Sequence, residues 1–271
     1  MKRKTCCIAY LCLLFYSYQA YSQAGMTASP VRNYFRVSKG NSSVKKITIT
    51  NPNNTPLEIG LSVNDWRHDI TGNNEVFPAG TLKTSMRNWI QVLEGSYFIL
   101  QPKETRDINL VITPAADADT SIPVHTSMIY LTQLNPAEVP KANGASLKLA
   151  IRLGIKLYHS FKSFDEKNIE INEFKDLALI KDSSTNSALE LKITNTGRIW
   201  LEAKTKWELM NSKTGKKVVL ESPEFDMLPG EVRILRKDLP TSLEKGSYTA
   251  TVIINYGNRD ELKLAELDFI L

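Results

Sequence analysis

Beyond position 12 the chain has no cysteine. Its three, Cys6, Cys7 and Cys12, all lie in the opening segment. The remainder can form neither a disulfide nor a thiolate metal site. Histidine is almost as scarce, with only His68, His125 and His159. No H-E-x-x-H pair, G-x-S-x-G elbow or glycine-rich phosphate loop occurs, so the familiar metallopeptidase, serine-hydrolase and nucleotide-binding signatures are missing. Helix-period segments are hard to find. No stretch after the opening segment is apolar enough to span a bilayer, which takes roughly 20 residues. These absences lead to an expectation of no catalytic residues, no metal, no cofactor, no small-molecule substrate and no stable membrane insertion.

The opening 24 residues read as a cleaved secretory signal. Lys2, Arg3 and Lys4 supply a basic start, 6–15 an apolar stretch, and Tyr21-Ser22-Gln23-Ala24 small residues for cleavage. Loss of those three bases and no acids takes the formal charge from +5 to +2. The high isoelectric point is therefore partly a property of the leader, and nothing argues for nucleic acid. The expected location is the periplasm.

What the remaining chain does have is alternation. Short runs of period two, separated by turn residues, recur at 45–50, 57–63, 96–100, 107–113, 128–134 and 147–158. They recur again at 189–194, 200–210, 217–220, 232–236, 248–256 and 262–271. That pattern predicts an all-β chain of β-sandwiches. An ordered internal repeat predicts two of them in tandem. Ile47-Thr48-Ile49-Thr50-Asn51 resembles Leu191-Lys192-Ile193-Thr194-Asn195, and each copy leads through a turn to a strand ending near a tryptophan, Trp66 or Trp207. The expected division is a leader over 1–24, a first Ig-like domain over 25–162 and a second over 163–271. In the second, two readings stand for Tyr248: a corner tyrosine, its hydroxyl bonded to nearby backbone, or an ordinary cross-strand aromatic.

The run 147–158 is the most informative. Leu147, Leu149, Ile151, Leu153, Ile155 and Leu157 occupy every odd position, while Lys148, Arg152 and Lys156 share the other face. One unbroken strand is expected, following a polar loop over 135–145. Leu153, Ile155 and Leu157 are expected in the core. For Leu147, Leu149 and Ile151 two readings stand: burial in the same core, or exposure at an edge that pairs with a foreign strand. His68 is read as a solvated turn residue and His159 as half-exposed.

The segment 127–136, its polar loop and the run ending Ile155-Lys156-Leu157-Tyr158 resemble the paired last strands of the first domain of PapD-like periplasmic pilus chaperones. Ser29-Pro30-Val31-Arg32, Gly40 and the strand to Asn51 resemble that family's opening. Over the second domain only the Ig-like outline agrees. The resemblance implies a boomerang of two Ig-like domains that binds pilus or fimbrial subunits and lends them the strand 147–158. It implies Leu147, Leu149 and Ile151 as donor residues, and Arg32 and Lys156 as the pair that anchors the subunit's terminal carboxylate, with Arg36 the alternative to Arg32. It leaves open an outer-membrane usher as a further partner. The family's acidic-basic cluster is replaced here by Ser121-Ile122-Pro123-Val124-His125-Thr126, and its interdomain arginine falls near Ser160. The expectation is therefore an interface without a charged network. A second reading is a non-catalytic structural or adhesive Ig-like protein of the cell envelope.

Overall fold

The computed structural model describes residues 25–136, 138–140, 146–161, 166–177, 187–258 and 261–271. The expected leader, with its cysteines, lies outside these residues.

The chain is all-β and forms two Ig-like sandwiches, each built by burying the apolar phase of alternating strands. In the first, one sheet has the order β1-β3-β8-β6, with β1 Thr27–Ser29, β3 Ser43–Thr50, β8 Thr105–Ile112 and β6 Ile90–Val92. The facing sheet has the order β2-β12-β9-β4-β5: β2 Arg32–Phe35, β12 Arg152–His159, β9 His125–Gln133, β4 Leu57–His68 and β5 Asn74–Pro78. A further strand, β7 Tyr97–Leu100, pairs with the start of β4. Ile47, Ile49, Ile59, Ile108, Leu110, Ile129, Leu131, Ile155 and Leu157 fill the space between.

The second sandwich faces a three-stranded sheet, β13-β14-β18, with a larger one, β16-β15-β19-β20. The strands are β13 Glu170–Asp176, β14 Ala188–Thr194, β18 Val232–Asp238, β16 Lys217–Glu221, β15 Leu201–Asn211, β19 Ser247–Asn255 and β20 Lys263–Ile270. A short strand, β17 Phe225–Met227, pairs with the start of β15. Trp207, Leu191, Ile193, Val252 and Ile254 lie at the centre. Tyr248 does form the corner, its hydroxyl donating to the Glu244 carbonyl at 2.8 Å.

The internal repeat is one device used twice. Asn51 and Asn195 each end a strand fully buried. The Asn51 amide donates to the carbonyls of Thr55, Leu100 and Gln101, and its oxygen accepts the Asn53 N–H. The Asn195 amide donates to those of Ile199 and Met227, and its oxygen accepts the Gly197 N–H. In both copies the asparagine ties its turn to the loop across the sandwich, so its buried polar atoms are satisfied. Gly197 is needed there because a β-carbon would lie 2.5 Å from the Asn168 nitrogen of the segment entering the second sandwich.

Three expectations need correction. The run 147–158 is not one strand. It splits into β11 (Ser146–Lys148) and β12, and 149–151 lies in neither. The segment before it is not wholly loop, since β10 (Glu138–Pro140) pairs antiparallel with β11, Val139 opposite Leu147. The histidines are also less exposed than expected. His68 ends β4 at 8% exposure, and His159 is fully buried, its Nε2 2.9 Å from the Val37 carbonyl oxygen.

Candidate functional site: a cleft between the domains and the open edge beside it

The outer face of the β2-β12-β9-β4 sheet changes character along its length. On β4 the outward positions run Gly60, Ser62, Asn64, then Trp66 and His68. On β12 they run Arg152, Gly154, then Lys156 and Tyr158. The bulky end is where the second domain docks. Trp66, Val124, Met128 and Tyr158 pack there against Ile199, Trp200 and Leu228. Tyr34 stacks on Trp200 with ring centres 4.8 Å apart, and Trp66 meets the edge of Tyr158 at 5.5 Å.

Arg32 and Lys156 come together in this cleft because β2 and β12 run parallel with these two residues in register. Arg32 donates to Asp226 Oδ2 at 2.5 Å and stands 3.9 Å from Glu202. Tyr34 also bonds Glu202. Lys156 lies over the Trp66 ring, 4.2 Å from its centre, and its ammonium meets His68 Nε2 at 3.2 Å. His68 Nδ1 faces Glu231 at 2.9 Å, so the hydrogen belongs on Nδ1 and Nε2 accepts from the lysine. Glu231 accepts from the backbone of His68 and Leu228 as well, each at 2.8 Å.

The interface therefore does carry a charged network, against expectation. Its members are Arg32, Lys156 and His68 from the first domain and Glu202, Asp226 and Glu231 from the second. They come from positions far apart in sequence. Beside them, the Ile234 N–H donates to the Ile70 carbonyl at 2.8 Å. The Arg233 guanidinium fills the space over Gly72, where a β-carbon would sit 1.9 Å from its Nη1.

Lys156 is the least compensated of these charges. Burial, reinforced by the neighbouring Arg32 charge and only partly offset by Asp226, lowers its ammonium to about 8. Among the described residues its hydrogen-bond partner is the His68 ring and no carboxylate pairs with it directly. A half-buried ammonium held this way is suited to an incoming carboxylate. Arg36, the alternative to Arg32, is exposed on the first domain.

Next to the cleft the sheet has an open edge. β12 pairs with β9 along its whole length, but β2 covers only its last four residues, Lys156 to His159. Over 152–155 no strand lies on that side among the described residues. Ile151 accepts from Gln133 of the β9 side, and Lys156 donates to Val31 of the β2 side, at 2.9 Å each. Alternation then turns the N–H and C=O groups of Arg152 and Gly154 outward. Leu149 is 52% exposed and Ile151 half-buried, while Leu153 packs against the first core. Leu147 is described by its backbone alone, in β11.

Among the described residues no helix is long and apolar enough to cross a membrane. Among the same residues no cluster of three or more histidine, cysteine, aspartate or glutamate side chains could hold a metal ion.

No family model matches this chain, and no curated protein does. Solved structures of similar fold include a chain of the CsuC–CsuE chaperone–tip adhesion subunit pre-assembly complex from archaic chaperone-usher Csu pili of Acinetobacter baumannii. It is 12% identical with a TM-score of 0.49, over 90% of this chain and 98% of that one. A chain of the Salmonella enterica SafA pilin–SafB chaperone complex is 15% identical with a TM-score of 0.46, over 92% and 97%. The class 5 fimbriae chaperone CfaA is 14% identical with a TM-score of 0.46, over 91% and 98%. At these identities the likeness concerns the fold.

Proposed function

We propose that this chain is a periplasmic chaperone for the subunits of a surface fibre, of the pilus or fimbrial type, acting without catalysis or cofactor. It holds a subunit by lending the edge of 147–158 to the subunit's incomplete sheet. The uncovered side of β12 at 152–155 carries this reading. Its outward backbone groups can pair with a foreign strand, while Leu149 and Ile151 enter the partner's core. Arg32 and Lys156 stand in register at the inner end of that edge, where a terminal carboxylate would set the partner's register. Leu147 extends the same alternating series.

The test is co-expression with a fibre subunit. Leu149→Asp and Lys156→Ala should each reduce the recovered complex without reducing the free protein. Normal recovery with both contradicts the reading.

One observation favours the second reading, a structural or adhesive Ig-like protein of the envelope. β11 is already paired with β10, so the start of the run has a partner within its own chain. On that reading Leu149→Asp leaves every interaction of the protein unchanged.

A further inference from the structure

The carboxylate-anchor reading of the cleft treats Arg32 and Lys156 as equal partners, yet the fold treats them differently. Arg32 already has a carboxylate ligand, since Asp226 sits 2.5 Å from its Nη2 and Glu202 lies 3.9 Å from its Nη1. Among the described residues Lys156 has none, and its ammonium meets Nε2 of His68 instead. The cations Arg32, Lys156 and Arg233 are met by the carboxylates Glu202, Asp226 and Glu231 and, beside Arg233, Asp69, so the cleft presents no excess of positive charge to attract an anion. Asp226 is also held in place. Its backbone carbonyl accepts from Arg233 at 2.7 Å, and β17, which carries it, is paired to β15 opposite Glu202.

Resting on that anchor reading, we infer that Asp226 is a specificity-determining residue of the cleft: it occupies the anion site of Arg32, so that a carboxylate ligand binds by exchange with it rather than by addition. The chemistry is competition between two carboxylates for one guanidinium, whose planar donors favour a paired oxyanion. Only a ligand that brings further binding energy, from strand pairing along 152–155, displaces Asp226 in full. A lone carboxylate gains at Arg32 no more than it removes. The cleft thereby selects for a chain end that also pairs as a strand, and rejects free small acids. The exchange also breaks one of the ties between the two domains, because Arg32 and Asp226 belong to different sandwiches.

The test uses the full mature protein and a synthetic hexapeptide, Val-Thr-Val-Thr-Val-Thr, with a free carboxylate or a C-terminal amide, titrated by calorimetry. Acetate is the probe without strand pairing. The wild type should bind the free acid in preference to the amide and show no saturable acetate binding. Asp226→Asn should tighten the free acid by about tenfold, leave the amide unchanged and bring acetate binding into range. Glu202→Gln, which removes the more distant carboxylate, should give a smaller gain of the same sign, and it serves as the second variant if Asp226→Asn melts several degrees lower. If Asp226→Asn binds the free acid no better than the wild type does, while the preference for acid over amide persists, Asp226 is no competitor and the inference fails with the anchor intact. If acid and amide bind alike in every variant, the anchor reading itself fails, and the inference falls with it.

Discussion

The ammonium of Lys156 lies 3.2 Å from Nε2 of His68, with Glu231 of the other domain bonded to the far side of that ring. One contact thus joins a candidate ligand group to the interdomain clamp. The lysine is carried on a strand whose core side holds Leu153, Ile155 and Leu157, and its charge is disfavoured where it stands. Such a residue costs the fold stability and is best explained by what it binds.

Lys156→Met is therefore expected to stabilise the free protein. The folded-state pKa is depressed, to about 8 from an ordinary 10.5, so at neutral pH the fold holds an ammonium it disfavours. Melting at pH 7 should rise for the variant while subunit capture falls. A lower melting temperature indicates a structural role instead.

Leu149 and Leu157 share one phase of the run but should respond in opposite ways to the same change. Leu149→Asp at a half-exposed position should alter stability by no more than about 0.5 kcal/mol. Leu157→Asp buries an unpaired carboxylate in the first core and should cost several kcal/mol, enough to prevent folding. Urea titrations of the two variants make the comparison. A large loss in Leu149→Asp shows the side chain packed within its own fold and contradicts the open-edge reading.

Stability should fall in mild acid. His125 is buried between Trp89 and Phe161, and its ring is lowered to about 4, chiefly by burial and then by His159, with Asp119 opposing. The unfolded chain therefore takes up a proton near pH 6.5 that the fold refuses until about 4. His125's contribution is intact above pH 6.5 and is lost as pH drops through that window, by about 3 kcal/mol. Urea midpoints at pH 7.5, 5.5 and 4.5 measure the slope, and His125→Gln should flatten it.

Glu231 should be the most sensitive point of the interface. Glu231→Ala strips an acceptor from the His68 ring and from two backbone N–H groups, those of His68 and Leu228, at about 1–3 kcal/mol for each group left buried and unpaired. Calorimetry should show unfolding at lower temperature and resolved into two transitions, as the two sandwiches lose their coupling. A variant that melts as the wild type does removes Glu231 from the clamp.

Much of this molecule could be read from residue order. Alternation places most core strands, the repeated asparagine marks both sandwiches, and Tyr248 announces its own corner, because each of these is a local rule. What escaped was set by distant partners. β13, with the sequence Glu170-Ile171-Asn172-Glu173-Phe174-Lys175-Asp176, hardly alternates, since it lies at a sheet edge with a register shift between Ile171 and Glu173. The break at 149–151 has no local signal, because it marks where β9 ends and β10 captures β11. His68 reads as a turn residue in the sequence because its buried partner, Glu231, lies 163 positions away. The charged clamp is hidden in the sequence for the same reason: it is assembled from residues far apart in the chain with no motif of their own.

The central claim is that β12 keeps an edge open for another chain, and amide hydrogen exchange at Gly154 tests it most directly. Its N–H points away from β9, on the side that β2 does not reach. It should exchange rapidly in the free protein and become strongly protected in a complex with a fibre subunit, while its neighbour Ile155, already paired to β9, is slow in both. A Gly154 amide protected from the start, or equally fast with and without the subunit, contradicts the account.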